Sequence, residues 1–315
     1  MKKIPVAAVV GPTAAGKTKL AVELCKRFNG EVVSADSMQI YIGLDIATAK
    51  PTTEEQGNVP HHMIGFLPVT ESFSVADYCE KAAPIIADIA GRGKLPVVAG
   101  GTGLYIDSLI NNIEFSLEKA DVALRDRLKA RARNDGNAGL LSDLAKIDPS
   151  AAAGLHPNDT GRIIRAIELF NATGKTMEQR NRESRMSPSP YEVCLLGLFF
   201  RDRQNLYDRI NKRVDTMMKN GLLEEAEAFL RNGCPGTSQQ AIGYKELAPF
   251  YRGEIHLDEA VERLKRETRR YAKRQLTWFG KNKDTNRIYV DDYADFNGVV
   301  KEAVRIVAES GLIAG

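Results

Sequence analysis

The sequence predicts an α/β protein, a doubly wound parallel sheet interrupted by a helical segment, and three observations predict it. Short apolar runs of strand length recur along the chain, each followed by a loop and a helix-like stretch. The first run leads into "GPTAAGKT", Gly11–Thr18, which fits the pattern G-x-x-x-x-G-K-[ST] without a mismatch. Residues 116–187 carry helical patterns and no strand-like run. Strands spaced by helices are the signature of a parallel sheet with helices on both faces.

The first strand is "IPVAAVV", residues 4–10. The helix after the loop is marked by Leu20, Leu24 and Phe28, four apart. A glycine-rich turn between a strand and a helix directs backbone N–H groups, and the positive end of the helix, at an anion. Gly11, Pro12, Thr13, Ala14, Ala15 and Gly16 form that turn, Lys17 reaches the outer phosphates, and Thr18 is the metal-ligand candidate. This defines a P-loop and a diphosphate or triphosphate ligand without naming the molecule that carries it. The second strand is "EVVSA", residues 31–35, leading into "DSMQ", Asp36–Gln39. The third is "LPVVA", residues 95–99, leading into "GGTGLY", residues 100–105. "VCLLGLFF", residues 193–200, and "RIYV", residues 287–290, follow later. Ligands of such sheets bind beyond the carboxyl ends of the strands. The loops Gly11–Thr18, Asp36–Gln39 and Gly100–Tyr105 are therefore expected to meet in one crevice.

The domain organisation expected is a core of residues 1–115 and 188–315 with a helical insertion at 116–187, closed by "RMSPSPY". After the fourth strand, residues 205–221 place Leu206, Ile210, Val214 and Met217 on one helical face, read as core. At 315 residues and 43% hydrophobic content the chain supports a sizeable core. Its four cysteines form no C-x-x-C pair, which points away from zinc ribbons and disulfide frameworks and towards a reducing compartment. The apolar run after the two N-terminal lysines passes straight into the loop, unlike a cleaved leader. No apolar run reaches membrane-spanning length. A cytoplasmic protein without membrane association is expected.

The net charge of +3 conceals an uneven distribution. Residues 262–287 hold ten Lys or Arg against three acids, interleaved with Tyr271, Trp278 and Phe279. Trp278 is the sole tryptophan. Cations interleaved with stacking surfaces suit a nucleic acid, although a solvated helix face accounts for the charges equally well.

Asp36 ends an apolar strand, and three roles stay open for it: a magnesium ligand, a general base, or the N-cap of the following turn. Gln39 carries two donors and an acceptor, suited to a base edge. The adjacent His61 and His62 are read as loop packing rather than metal ligands. Arg201 and Arg203 either reach the phosphate site or are solvated.

Seven blocks in this order, "GPTAAGKT", "ADSMQIYIGLDIATAKP", "VPHHMI", "VVAGGTGLY", "LHPNDTGRIIRAIE", "SQQAIGYKE" and "RRYAKRQLTWF", resemble the bacterial tRNA dimethylallyltransferases, the tRNA isopentenyltransferase family. The resemblance extends to about residue 280. It implies transfer of a dimethylallyl group from dimethylallyl diphosphate to N6 of adenosine 37 of tRNA, with Mg²⁺; a monomer is expected. Asp36, Lys17, Thr18 and Thr102 would be catalytic, with Thr18 on the metal and Gly11–Thr18 on the diphosphate. Asp36, Ser37, Met38 and Gln39 would hold the flipped adenine, Thr102 and Arg125 would contact tRNA, and Gly161, Arg162, Arg165, Gln240, Gly243, Tyr244, Lys245, Lys273, Arg274, Gln275 and Trp278 would meet the anticodon arm. The chain departs from the family pattern at Gly161, Gln240 and Gly280. A prenyltransferase of free AMP or ADP, a nucleotide kinase or switch NTPase, and a non-enzymatic RNA-binding module are the competing readings of the residues.

Overall fold

A computed structural model describes residues 3–115, 121–233 and 237–312. It falls into two compact units, residues 1–110 with 190–315, and residues 111–189.

The larger unit is mixed α/β, built on six strands: β1 (Ile4–Val10), β2 (Gly30–Ser34), β3 (His61–His62), β4 (Leu95–Gly100), β5 (Tyr191–Phe199) and β6 (Asn286–Tyr289). They form one sheet in the order β3-β2-β4-β1-β5-β6, and every pair is parallel. The helices are α1 (Lys17–Phe28), α2 (Thr53–Gln56), α3 (Val75–Gly91) and α4 (Gly103–Ile110) in the first half of the chain. The second unit supplies α5 (Val122–Asp135), α6 (Asn137–Ile147), α7 (Pro149–Gly154), α8 (Thr160–Thr173) and α9 (Met177–Glu183). The chain then returns with α10 (Arg203–Lys219), α11 (Leu222–Arg231), α12 (Tyr244–Tyr251), α13 (Leu257–Phe279) and α14 (Phe296–Glu309).

The apolar runs are continuous rather than alternating because both faces of the sheet are covered. Alternate residues of each strand enter different cores. Val6, Ala8 and Val10 of β1 join Val33, Val98, Leu195 and Phe199 on one face, with Tyr78, Ala82 and Ile86 of α3 and Tyr105 of α4. Ala7 and Val9 join Val32, Val97, Leu196 and Leu198 on the other, with Leu20 and Leu24 of α1 and Val299 and Ala303 of α14. The second unit has its own core of Leu128, Leu140, Leu144, Ile163, Ile164 and Ile167. No helix among the described residues is long and apolar enough to cross a membrane. Cys25, Cys79 and Cys194 are free thiols.

The expectation that His61 and His62 merely pack a loop is corrected. They form the edge strand β3, with Val32 opposite His61 and Val33 opposite His62. Two residues carry too little pattern to announce a strand. His62 also serves a buried charge. The carboxylate of Glu31, only 3% exposed, accepts from Arg92 at 2.5 and 2.8 Å, from Lys94 at 2.8 Å, and contacts His62 Nε2 at 2.8 Å. A buried carboxylate of this kind is tolerated because its lone pairs are filled by cations. The Arg92 guanidinium, with Lys94 and His62, holds the Glu31 carboxyl far below the usual carboxylate range.

Because that carboxyl ionises more readily in the folded chain than in the unfolded one, its stabilisation is complete at neutral pH and is lost only as acid protonates it. Glu31→Gln is expected to lower the unfolding free energy by about 1.5–3 kcal/mol at pH 7. Denaturant titrations of both proteins from pH 7 downwards check this, with the gap holding until the pH falls below the ordinary carboxylate range and closing there.

Candidate active site

Three loops leave the carboxyl ends of β1, β2 and β4, and the structure brings them together. The backbone of Ala35 bonds Ala99 at 2.8 Å, and Thr102 N–H returns to the Ala35 carbonyl at 3.1 Å. Thr102 Oγ1 accepts from Ser37 N–H at 3.0 Å and donates to Ser37 Oγ at 3.3 Å. The Gly11–Thr18 loop is tied in by Gln275 of α13, whose Oε1 accepts from Thr13 N–H at 2.8 Å while its Nε2 donates to the Gly101 carbonyl at 2.9 Å.

Gly16 ends the first loop at φ 99°, a conformation that favours glycine, and caps α1 with no side-chain hydrogen bond. A Cβ there would stand 2.5 Å from the ring of Phe296 on α14, so that ring seats the loop from behind. No acidic residue occupies the first turn of α1. The helix therefore presents its positive end without internal compensation. Lys17 Nζ reaches back over the loop to the Pro12 carbonyl at 2.8 Å.

Two further cations stand behind it, and the sequence reading missed both. Arg209 Nε donates to the Ala14 carbonyl at 2.9 Å, with its guanidinium 5.8 Å from the Phe200 ring centre. Arg213 sits one turn further along α10 and repels the Lys17 charge. Their four-residue spacing was the available signal. It was eclipsed by Leu206, Ile210 and Val214, the apolar stripe of the same helix, which is buried as expected. Burial and the nearby Arg213 pull the Lys17 ammonium down to about 7, with Asp36 opposing them. Burial lowers Arg213 as well. The loop holds more positive charge than its surroundings neutralise, which is the electrostatic condition of an anion site.

Asp36 caps the turn it starts: its Oδ1 accepts from Met38 N–H at 2.9 Å and Gln39 N–H at 3.3 Å. The N-cap role is thus real, and it leaves Oδ2 for other work. Asp36 is close enough to act electrostatically on Lys17, Arg213, Tyr105 and Tyr271. Ser37 and Met38 are partly exposed beside it.

Several expected contacts are placed differently. Gln39 spends both amide hydrogens on the carbonyls of Thr48 and Ala49, at 3.2 and 3.1 Å, and its oxygen accepts from Ser34. It holds its own loop rather than presenting a reading edge. Glu225 of α11 anchors that loop too, accepting from the N–H groups of Asp45, Ile46 and Ala47 at 2.7–2.9 Å and from the Tyr244 hydroxyl at 2.8 Å. Tyr244 is consequently buried, stacked on Phe229 at 4.3 Å, and Gly243 is buried with it. Gln240 and Lys245, on either side, are exposed. Gln275 is only 5% exposed and faces inward. Arg201 does not reach the phosphate site. It pairs with Asp292 and lies 3.8 Å over the Tyr289 ring.

The outer face of α13 carries Arg266, Arg270, Arg274 and Trp278 at intervals of four, all exposed, with Lys273 beside them. Trp278 is 39% exposed. Its Nε1 donates to Asp107 at 2.8 Å, and its ring covers Gly103, where a Cβ would approach to 2.3 Å. In the second unit, Gly161, Arg162 and Arg165 are exposed at the start of α8. Arg125 is engaged elsewhere: its guanidinium grips the buried Glu168 at 2.6 and 2.7 Å, fastening α5 to α8.

A family model described as "IPP transferase" matches residues 39–283, and one described as "Isopentenyl transferase" matches residues 4–62. The chain belongs to the IPP transferase family. Among curated members, the tRNA dimethylallyltransferase of Caldanaerobacter subterraneus is 49% identical over 93% of this chain and 94% of its own. That of Bacillus subtilis is 49% identical over 88% of each. Of the solved structures in the family, the full-length tRNA isopentenylpyrophosphate transferase from Bacillus halodurans superposes with a TM-score of 0.73 at 44% identity, covering 98% of this chain and 97% of that one. A eukaryotic dimethylallyltransferase acting on tRNA gives a TM-score of 0.81 at 29% identity over 95% and 77%.

The low pKa of Lys17 has a measurable sign. An anion on the loop stabilises the ammonium and raises that pKa, so binding of inorganic diphosphate at pH 8 is expected to take up a proton, and affinity is expected to fall as pH rises above about 7. Calorimetry in buffers of different ionisation enthalpy measures the uptake, and Lys17→Met is expected to abolish it.

Proposed function

We propose that this chain transfers a dimethylallyl group from dimethylallyl diphosphate to N6 of adenosine 37 in the anticodon loop of tRNA. The observation that carries the reading is the set of cations around the Gly11–Thr18 loop, within electrostatic reach of the Asp36 carboxylate. The family relatives, named for this reaction, support it. Among the rival readings, a kinase or switch NTPase makes no use of the cationic, tryptophan-bearing face of α13.

The chemistry follows from the charges. As the bond between C1 and the diphosphate oxygen breaks, negative charge grows on the leaving group. The N–H groups of the P-loop, Lys17, Arg209 and Arg213 stabilise it where it develops. The exocyclic amine of adenine is a weak nucleophile because its lone pair is delocalised into the ring. As N6 bonds to C1, the free oxygen of Asp36 takes the N6 proton. Thr102 holds the Asp36 loop through Ser37. The adenine must be unstacked to enter, and a loop base is cheaper to extrude than a paired one.

A divalent ion fits the residues present. Thr18 offers a hard oxygen donor, and among the described residues no group of three or more His, Cys, Asp or Glu forms a cage. Mg²⁺ is commonly held by one or two protein oxygens together with substrate phosphates. Thr18 would hold it, and when bound it supplies positive charge against the diphosphate. Gly161, Arg162 and Arg165, Gln240 and Lys245, and Lys273, Arg274 and Trp278 are the exposed residues we assign to the anticodon arm. The cytoplasm is the compartment we assign, in keeping with the free thiols.

Incubation with labelled dimethylallyl diphosphate, Mg²⁺ and unmodified tRNA is expected to place label on adenosine 37. ATP turnover in the absence of prenyl diphosphate, or no label on tRNA, would overturn the assignment. Asp36→Asn is expected to bind both substrates nearly normally while its single-turnover rate drops by about 10²–10⁴. Excess Mg²⁺ should not restore that rate. Recovery with metal would make Asp36 a ligand instead of the base.

Replacing Arg270 and Arg274 by Ala should weaken tRNA binding and flatten its salt dependence by up to about 0.7–0.9 in slope per lost phosphate contact. Filter binding across a salt series reads this, and an unchanged slope would return both side chains to the role of solvated charges.

A further inference from the structure

Gln275 lies on the basic helix α13, yet its side chain is turned away from the basic face. Its amide makes two buried bonds to two different loops, Thr13 in the loop after β1 and Gly101 in the loop after β4. The orientation of the amide follows from its partners, because Thr13 N–H can only donate and the Gly101 carbonyl can only accept. Gly101 makes room for this bridge: a Cβ there would stand 2.2 Å from Gln275 Nε2 and 3.6 Å from Lys17 Nζ. One turn earlier, the Tyr271 hydroxyl interacts with both Thr102 and Gln275, and feels Asp36. The preceding residue, Arg274, and Trp278, three residues on, are exposed. A single helix therefore presents cations and a stacking ring outward while gripping the anion loop from within.

We propose that Gln275 is a positioning residue that couples docking of tRNA on the outer face of α13 to the setting of the Gly11–Thr18 loop, and so to the affinity of that loop for diphosphate. The coupling rests on the function proposed above. An α-helix transmits a small shift or roll along its length, and a two-ended hydrogen bond conveys it to both loops at once. tRNA seated on Arg270 and Arg274 draws α13 into one position, and Gln275 then fixes the Thr13 N–H in the geometry that diphosphate requires. By reciprocity, diphosphate tightens tRNA by the same factor.

The test uses the full chain with Gln275→Leu and Gln275→Glu. Binding of unmodified tRNA is measured directly. Binding of inorganic diphosphate is measured with and without tRNA, and KM for dimethylallyl diphosphate and kcat are measured separately. For the wild type, tRNA is expected to tighten inorganic diphosphate. For Gln275→Leu, tRNA affinity alone should stay within about twofold, KM should rise by about 10- to 100-fold from the two lost buried bonds, and the tightening should vanish.

Gln275→Glu supplies the check that a merely structural residue would not pass. Ionised, it repels the Gly101 carbonyl. Protonated, it again donates to Gly101 and accepts from Thr13. Its KM, taken as a ratio to wild type at each pH, should recover towards one as pH falls, with tRNA affinity unchanged. The charged and titratable groups facing it are Lys17, Asp36, Arg213, Tyr271 and Arg274, and they are common to both proteins, so the ratio removes them. Should Gln275→Leu fail to fold, the pH series of Gln275→Glu carries the test alone. A wild-type KM in Gln275→Leu, absence of tightening in the wild type, or loss of tRNA affinity as large as the change in KM would overturn the proposal. Failure of the function itself reads differently: the wild type would then leave tRNA unlabelled.

Discussion

Parallel pairing of β1, β4 and β2 is the constraint on which the rest depends. Their registers set Val10 opposite Gly100 and Ser34 opposite Ala99, so three chains leave the sheet at one level. The approach is close enough that a Cβ on Gly100 would stand 2.1 Å from the Ala35 carbonyl oxygen. Loops starting from such a junction have no freedom to diverge. Residues separated by some ninety positions in sequence, Thr13 and Thr102, are thereby held around one crevice. The return of the chain as β5 beside β1 adds α10 and α13, which bring cations from the far half of the molecule.

The crevice is held out of electrostatic balance. Lys17, Arg209 and Arg213 crowd an uncapped helix start, opposed by Asp36 of the neighbouring loop and, at Arg213, by Glu55 of α2. In a folded protein such crowding is unfavourable, and with burial, the larger cause, it depresses the Lys17 pKa. In the function proposed above, a bound diphosphate would relieve it, and a site short of negative charge would favour the moment at which a leaving group acquires it.

The site is kept in shape by side chains that do not touch a reacting atom. Gln39 closes the loop that follows Asp36, Glu225 gathers three backbone N–H groups of the next turn, and Gln275 joins two loops. Phe296 fills the space that Gly16 leaves empty. Each uses a buried polar or apolar contact to hold backbone whose conformation local sequence does not favour, among it Ala14 at φ 64° and Ala49 at φ 49°. Precision at a catalytic centre depends on this supporting layer as much as on the groups that react.

The α/β class, the main strands, the convergence of three loops and the glycine-rich pattern that ends in Lys17 and Thr18 were legible in the linear chain. They follow from local rules: a buried parallel strand is an apolar run, and a loop that binds phosphate needs glycine, lysine and a hydroxyl at set spacing. The family blocks were legible too, being contiguous. What local rules leave open is which partner a side chain finds. An amide suited to a base edge is equally suited to a backbone carbonyl, and only the folded chain directs Gln39 and Gln275 inward, buries Tyr244 and pairs Arg125 with Glu168. The two-residue strand β3 exists only because β2 offers it an edge. Arg209 and Arg213 join the anion site because β5 lies next to β1 and sets α10 behind the loop. Sequence determines the chemistry each side chain carries, whereas long-range packing selects the one neighbour on which it is used.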